Sequence, residues 1–204
     1  MKIRQATLGD VKALAPLIFS SAPSALAAIF DINDELSASH FLHSSLSTED
    51  GQYGFANHWL VEIDHQVAGC ISAWHSHLPD SFHQATLHKL TGFYGIAHAL
   101  SVVQSSQTLQ DCFPKPQEHE WCIGHFAVST EHQRKGVGTA LLDFMHKQAL
   151  SCGKSELCLD VESINTQAIG FYLGHGFVKK QESGVSSRMQ TLGISSHFHL
   201  NKLI

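Results

Sequence analysis

The residues best suited to chemistry lie in one short segment, QRKGVGT, at 133–139. Gly136 and Gly138 stand two apart, and Arg134 and Lys135 come directly before them. Glycines lack the Cβ atoms that would keep a ligand off the backbone, and the two cations add positive charge. The segment favours binding of a phosphate or pyrophosphate; the alternative is a tight turn with capping glycines and solvated cations.

The elements around this segment are predicted from apolar patterns. WCIGHFAV, at 121–128, is apolar and rich in aromatic and β-branched residues, which predicts a buried strand. A helix is predicted after the glycines from apolar residues spaced three and four apart: Leu141, Phe144, Met145 and Ala149. The glycines therefore lie at a strand-to-helix turn, where the first amides of the helix have no partners and the dipole is positive. The third glycine of a dinucleotide fingerprint is missing, because Leu141 occupies that position.

Composition narrows the class of protein. The chain has 204 residues and a net charge of −5, whereas nucleic-acid binders are usually basic. No stretch approaches the roughly 18 apolar residues of a membrane span, and the N-terminus lacks a signal-peptide core. The five cysteines form no CxxC pair, which indicates reduced thiols. We expect a cytoplasmic protein that binds neither nucleic acid nor membrane.

The remaining patterns predict an α/β fold in a single domain, 1–204. The predicted strands are 3–6, 58–63, 67–74, 121–128, 156–161, 177–181 and 197–203. The strand–helix–strand unit over 120–161 implies a right-handed crossover between parallel strands, and the hairpins imply antiparallel neighbours. A mixed sheet with helices on both faces follows, with a helical insertion at about 75–118.

Two motifs, HFAVSTEHQRKGVGTALL at 125–142 and NTQAIGFYLGHGF at 165–177, follow one another along the chain. Together they resemble motifs of the GNAT superfamily of N-acyltransferases. In HFAVSTEHQRKGVGTALL, Gln133, Gly136 and Gly138 fill the acyl-CoA-binding pattern after a strand ending in FAV. In NTQAIGFYLGHGF, the second motif is filled at matching spacing by Asn165, Ala168, Phe171, Tyr172, Gly176 and Phe177. The resemblance implies a GNAT fold: a mixed, mostly antiparallel sheet whose parallel fourth and fifth strands splay apart.

The resemblance also implies acetyl-CoA as the cofactor. The glycine loop would hold the diphosphate on its amides, and the pantetheine arm would lie between the splayed strands. The residues expected to contact acetyl-CoA are Phe126, Ala127, Val128, Gln133, Arg134, Lys135, Gly136, Val137, Gly138, Thr139, Asn165, Phe171 and Tyr172.

The implied reaction is direct attack of an amine, from a small molecule or peptide, on the thioester. Tyr172 occupies the position of the family's general acid, although a packing role is the alternative. The oxyanion donor would be a backbone amide near Phe126.

The general base stays open. The family places a base two or four residues before the FAV triplet, where this chain has Gly124 and Cys122. Glu120 would act through water, and a bulge near Gly124 would favour His125 instead. His119 and bulk water are further alternatives. The missing strand base also leaves open a non-catalytic acyl-CoA-binding or regulatory module.

Sixteen histidines raise the question of a metal. HEWCI lacks the second histidine of HExxH, because Ile123 stands there. The pairs His75/His77 and His197/His199 have no carboxylate or cysteine at ligand spacing. We therefore expect no metal.

The predicted insertion carries an apolar helical stripe: Leu87, Leu90, Phe93, Tyr94, Ala97 and Leu100. A long connection in a compact domain tends to be functional. We expect it to form a wall of the acceptor pocket, with Tyr94 on the inner rim; a homodimer through this stripe is the alternative.

Overall fold

The computed structural model describes residues 1–110, 113–185 and 187–204. A seven-stranded sheet runs in the order β1-β2-β3-β4-β5-β7-β6. The strands are β1 (Lys2–Gln5), β2 (His58–Ile63), β3 (Gln66–Trp74), β4 (Glu120–Val128), β5 (Glu156–Glu162), β6 (Val178–Glu182) and β7 (His197–Leu203). Among the strands that the structure describes, only the β4–β5 pair is parallel, so the predicted mixed, mostly antiparallel sheet is confirmed.

Within the described residues, seven α-helices lie on the two faces of this sheet, and the prediction of helices on both faces is confirmed. They are α1 (Val11–Ser21), α2 (Pro23–Phe30), α3 (Ala38–Ser45), α4 (Asp80–Gln110), α5 (Val137–Ser151), α6 (Thr166–Gly174) and α7 (Ser187–Thr191). Local sequence fixes several starts: Pro23 opens α2, and the Asn165 side chain caps α6 by accepting from the Ala168 amide at 3.1 Å. No single helix in the described ranges is long and apolar enough to cross a membrane; one bent pair, Leu8–Ser21 with Pro23–Phe30, meets the length and composition test.

Two apolar cores pack against the two faces of the sheet. One gathers α1, α3 and part of α4 against Leu60, Cys70 and Ala127. The other gathers α5 and α6 against Ile71 and Ile123. Because Cys70 and Ile71 are neighbours on β3, strand alternation sends them to opposite cores.

The parallel strands β4 and β5 separate after three residue pairs. Their register ends at Cys122 opposite Cys158; beyond this, β4 pairs only with β3 and β5 only with β7. The predicted splay is thereby confirmed, and it opens a cleft between 123–128 and 159–162.

A disulfide joins Cys122 and Cys158 at the last paired position before the splay. The expectation that the thiols are all reduced is wrong for these two residues. Their spacing in sequence gave no CxxC signal; instead, the parallel register brings their Cα atoms to 4.6 Å. Cys70 is buried and free, and Cys152 is exposed and free.

Helix α4 is interrupted at Gly95, which has φ 70° and ψ 163°. The break shifts the phase of the apolar stripe, so Leu90 and Tyr94 are buried before it, and Ala99 and Val102 after it. After the break, Ala97 and Leu100 of the predicted stripe are exposed; Leu87, which precedes the break, is exposed as well. Tyr94 is not on a rim: it is 4% exposed, and its hydroxyl donates to the Phe30 carbonyl at 2.8 Å.

Candidate functional site

The loop before α5 offers a row of free backbone donors. The amides of 134–139 have no hydrogen-bond partner within the described ranges, and the first bond of the helix joins the Ala140 amide to the Gly136 carbonyl at 3.0 Å. Arg134 and Gly136 both adopt positive φ, 58° and 80°. Turn conformations of this kind let successive backbone amides form a concave anion-binding surface. Gln133, Arg134, Lys135 and Gly136 are exposed. The loop therefore fits an anionic group at a helix N-terminus.

The two glycines of this loop meet different structural requirements. Gly136 needs its left-handed conformation, and a Cβ there would meet open space. Gly138 has helical geometry, but a Cβ would lie 3.1 Å from the Phe171 ring and 3.5 Å from the Phe126 ring. Gly138 thus permits close packing of α5 on the rings of α6 and β4.

The second motif places an aromatic group beside that packing. Tyr172 is 8% exposed, and its ring lies 6.0 Å from Phe126 and 5.6 Å from Phe177. Burial raises the pKa of the Tyr172 hydroxyl, which therefore stays protonated at neutral pH. His175 ties α6 to the loop, since Nδ1 contacts the Phe171 carbonyl at 2.7 Å and Nε2 contacts Thr139 Oγ1 at 3.0 Å.

A bulge in β4 turns the His125 side chain towards the face of the sheet opposite α5. The register with β3 slips between Cys70 and Ser72, and His125 has a positive φ of 43°. The predicted condition for His125, a bulge near Gly124, is therefore met. His125 Nδ1 lies 3.1 Å from His58 Nε2, and His58 Nδ1 lies 2.9 Å from the Gly54 carbonyl.

Burial keeps both imidazoles neutral. It lowers the pKa of His58 to about 4, although the Gly54 hydrogen bond acts in the opposite sense. It lowers the pKa of His125 to about 3, with the neighbouring His58 as a second cause. Histidine loses its positive charge readily in such surroundings because the charged form is the one that desolvation penalises.

Aromatic rings surround this histidine pair. The Tyr53 ring lies 5.1 Å from His125, and the Trp74 ring lies 6.2 Å from it. A side chain at Gly124 would overlap the Trp74 ring, so the glycine lets Trp74 lie across β4. Phe41 backs Tyr53 at 5.4 Å and Tyr94 backs Phe41 at 5.4 Å.

The other candidate bases lie on, or directly before, the part of β4 that pairs with β5. Glu120 is 5% exposed; its carboxylate accepts from the Gln117 amide at 2.7 Å and from Asn201 Nδ2 at 3.1 Å. It lies five positions before His125 on the strand, about 16 Å of chain. His119 pairs with Glu156 at 3.1 Å, and the Cys122 sulfur is in the disulfide. The structure brings His125, but not Glu120, to the cleft.

In both histidine pairs considered for a metal, ring nitrogens already have hydrogen-bond partners within the protein. His75 Nδ1 accepts from the His77 amide at 3.1 Å. His199 Nδ1 lies 2.8 Å from Asp160 on β5, a carboxylate that sequence spacing did not reveal, and His197 Nδ1 contacts the Ser195 carbonyl at 3.0 Å. The expectation of no metal remains a prediction.

Sequence reasoning missed His58, Tyr53 and Trp74. Each belongs to a segment far from β4 in sequence. The sheet order brings His58 on β2 and Trp74 on β3 close to β4, and Tyr53 lies in the turn before β2. One available signal was the alternation of HWLVEI, which places His58 on the same face as Leu60.

The sequence and the fold were compared with those of known proteins. The chain matches the model of the acetyltransferase (GNAT) family over residues 26–177. A comparison with curated proteins finds no match. The fold is similar to that of an N-acetyltransferase from Staphylococcus aureus Mu50, with a TM-score of 0.65, 15% identity and 100% of both chains covered.

Two further solved structures share the fold. A ribosomal-protein-alanine N-acetyltransferase from Brucella melitensis has a TM-score of 0.57 and 16% identity, with 100% of both chains covered. Rv2747 from Mycobacterium tuberculosis, in complex with CoA and NLQ, has a TM-score of 0.53 and 13% identity, covering 100% of this chain and 99% of that one.

Proposed function

Because the chain belongs to the GNAT acetyltransferase family, we propose that it transfers an acetyl group from acetyl-CoA to a primary amine of a small molecule or peptide. Family and fold imply acyl-CoA-dependent acetyl transfer. The choice of acetyl-CoA, the amine acceptor and the residue roles below are our proposal.

The observation that carries this proposal is the row of free amides over 134–139, at the mouth of the β4–β5 cleft. Six donors at a helix N-terminus fit a diphosphate, and Arg134 and Lys135 supply counter-charge. The unpaired edges of β4 and β5 fit an extended amide-bearing arm between them. Val128, Asn165 and Phe171 line the same region in this proposal.

Acetyl-CoA would supply the acetyl group as a thioester. In the ternary complex the amine nitrogen forms a bond to the carbonyl carbon, and the carbon–sulfur bond breaks. A β4 amide near Phe126 stabilises the oxyanion, and Tyr172 donates its hydroxyl proton to the departing sulfur. The nitrogen becomes cationic as it attacks, and His125 Nε2 accepts its proton.

The low pKa of His125 constrains the form of the acceptor. A neutral imidazole with a pKa of about 3 takes a proton poorly from a free alkylammonium. It suits the far more acidic nitrogen of the tetrahedral adduct. The acceptor therefore enters as the uncharged amine.

The test combines binding with turnover. Calorimetry should detect coenzyme A binding, and acetyl-CoA with a panel of amines should release free thiol. His125→Ala should reduce thiol release about 10²-fold or more while coenzyme A still binds. Binding without thiol release across the panel would indicate the non-catalytic module, and no binding would refute the proposal.

A further inference from the structure

His58 is a buried titratable group to which the proposed reaction assigns no step. It is fully buried at the start of β2, and its ring lies nearly parallel to that of His125, with centroids 5.3 Å apart and planes inclined by 13°. One ring nitrogen faces Gly54 and the other faces His125. Both nitrogens therefore have a single polar contact each.

The chemistry of those contacts determines where the protons lie. A carbonyl oxygen only accepts, so the Gly54 contact requires the hydrogen on Nδ1 of His58. The Nε2 of a neutral His58 is then an acceptor, and the 3.1 Å contact requires a hydrogen on Nδ1 of His125. A neutral His125 is left with its lone pair on Nε2.

The Gly54 carbonyl, which accepts from His58 Nδ1, lies in a closely packed turn. A Cβ at residue 54 would overlap the carbonyl oxygens of Glu49 and Asp50, so the turn over 49–54 requires glycine there. The Gly54 amide donates to the Gly51 carbonyl at 3.1 Å, and Gly51 packs against the backbone of Thr86. The carbonyl that orients His58 thus belongs to a turn packed on α4.

We propose that His58 is a positioning residue that holds His125 in the Nδ1–H tautomer and so keeps Nε2 free to accept the amine proton. This inference rests on the proposed function for its catalytic consequence, but the tautomer is a property of the protein without substrate. Without His58, the Nδ1–H of His125 has no partner at this contact. The hydrogen can then move to Nε2, which leaves that nitrogen without a lone pair to accept the amine proton.

Two substitutions separate positioning from packing. His58→Gln places an amide oxygen near the former Nε2, where it can accept from His125 Nδ1, whereas His58→Leu fills space without an acceptor. His43→Leu, at an exposed position on α3, is the matched control.

The spectroscopic test is long-range ¹H–¹⁵N NMR of the histidine rings in the protein without ligand. Wild type and His58→Gln should show His125 protonated at Nδ1, and His58→Leu should show it protonated at Nε2 or at both nitrogens. An Nε2–H tautomer in wild type would overturn the inference, and this spectrum is available even if the leucine variant does not fold.

The kinetic test uses the same variants. His58→Leu should lower kcat about 10²-fold with little change in KM for acetyl-CoA, and His58→Gln should stay within about tenfold of wild type. Equal kcat for His58→Leu and wild type would overturn the inference. If wild type itself releases no thiol while its His125 is Nδ1–H, the proposed function fails and the tautomer assignment stands.

Discussion

The two sides of the splayed strands are built in different ways. On the α5 side, the candidate anion site consists of backbone amides from one continuous segment, 133–139. On the opposite side, the cluster around His125, where we propose that the acceptor amine binds, consists of side chains from separate elements: Tyr53, His58, Trp74 and His125. The first side is exposed and carries two cations, whereas the second is largely apolar with neutral imidazoles.

This contrast suggests a division of labour. A backbone site tolerates changes in most side chains, because only the glycines and the helix start determine where the amides point. A side-chain site changes with every substitution around it. We therefore expect cofactor binding to respond mainly to charge at the loop, and acceptor choice to respond to the aromatic side.

The largest effect should come from Tyr172→Phe. The change removes the proposed proton donor and keeps the ring that packs on Phe126 and Phe177. We expect kcat and kcat/KM to fall together by about 10²- to 10⁴-fold, with KM for acetyl-CoA nearly unchanged. Steady-state thiol release measures this.

Tyr53→Phe is the matched control on the acceptor side. It removes the same atom from a ring 5.1 Å from His125. Since Tyr53 has no proposed proton to give, kcat should change by less than about tenfold. An equal fall in kcat for Tyr172→Phe and Tyr53→Phe would contradict the proposed difference between the two sides.

The same contrast explains what the sequence alone could predict. Gly136, Gly138 and Tyr172 lie in two continuous motifs, so spacing alone predicts them as site residues. The orientation of His125 depends on a bulge in β4. The sequence indicates that such a bulge would favour His125, but it does not show whether the bulge is present. His58 and the Cys122–Cys158 disulfide depend on sheet register between distant segments, which no local pattern encodes.

Acid should destabilise the histidine side of the cleft in a defined window. The unfolded chain protonates His58 near pH 6.5, whereas the folded protein does so only near 4. The unfolded state therefore binds more protons between these values, and the unfolding free energy falls as pH falls, by about 1.4 kcal/mol per pH unit.

His58→Gln removes this group, so its unfolding free energy should depend less steeply on pH between about 6.5 and 4. Near pH 4 the accumulated difference from wild type should approach about 3 kcal/mol. Urea denaturation at several pH values measures it. Parallel curves for the two proteins would mean that His58 is not held neutral.

On the cofactor side, Lys135→Glu tests charge at the loop. The residue is exposed, so folding should be unaffected, while the charge near the proposed diphosphate changes by two units. We expect coenzyme A affinity by calorimetry to fall about tenfold, or about 1.4 kcal/mol. Lys147→Glu makes the same change near the other end of α5, about 15 Å away along the axis, and should matter little. An equal loss of affinity in both variants would mean that the overall charge of the protein, and not the charge at the loop, causes the effect.

The smallest effect should come from Tyr94→Phe, which tests how α4 relates to the acceptor side. Tyr94 is separated from His125 by two rings, Phe41 and Tyr53, so it supports the aromatic cluster from behind. Losing its hydroxyl leaves the Phe30 carbonyl without that donor, at a cost of about 1 kcal/mol in unfolding free energy. Because the ring remains, kcat/KM for the amine should hold, while Tyr53→Leu should change it several-fold among amines of different size. A larger kinetic effect at Tyr94 than at Tyr53 would place α4 itself against the acceptor, as the sequence first suggested.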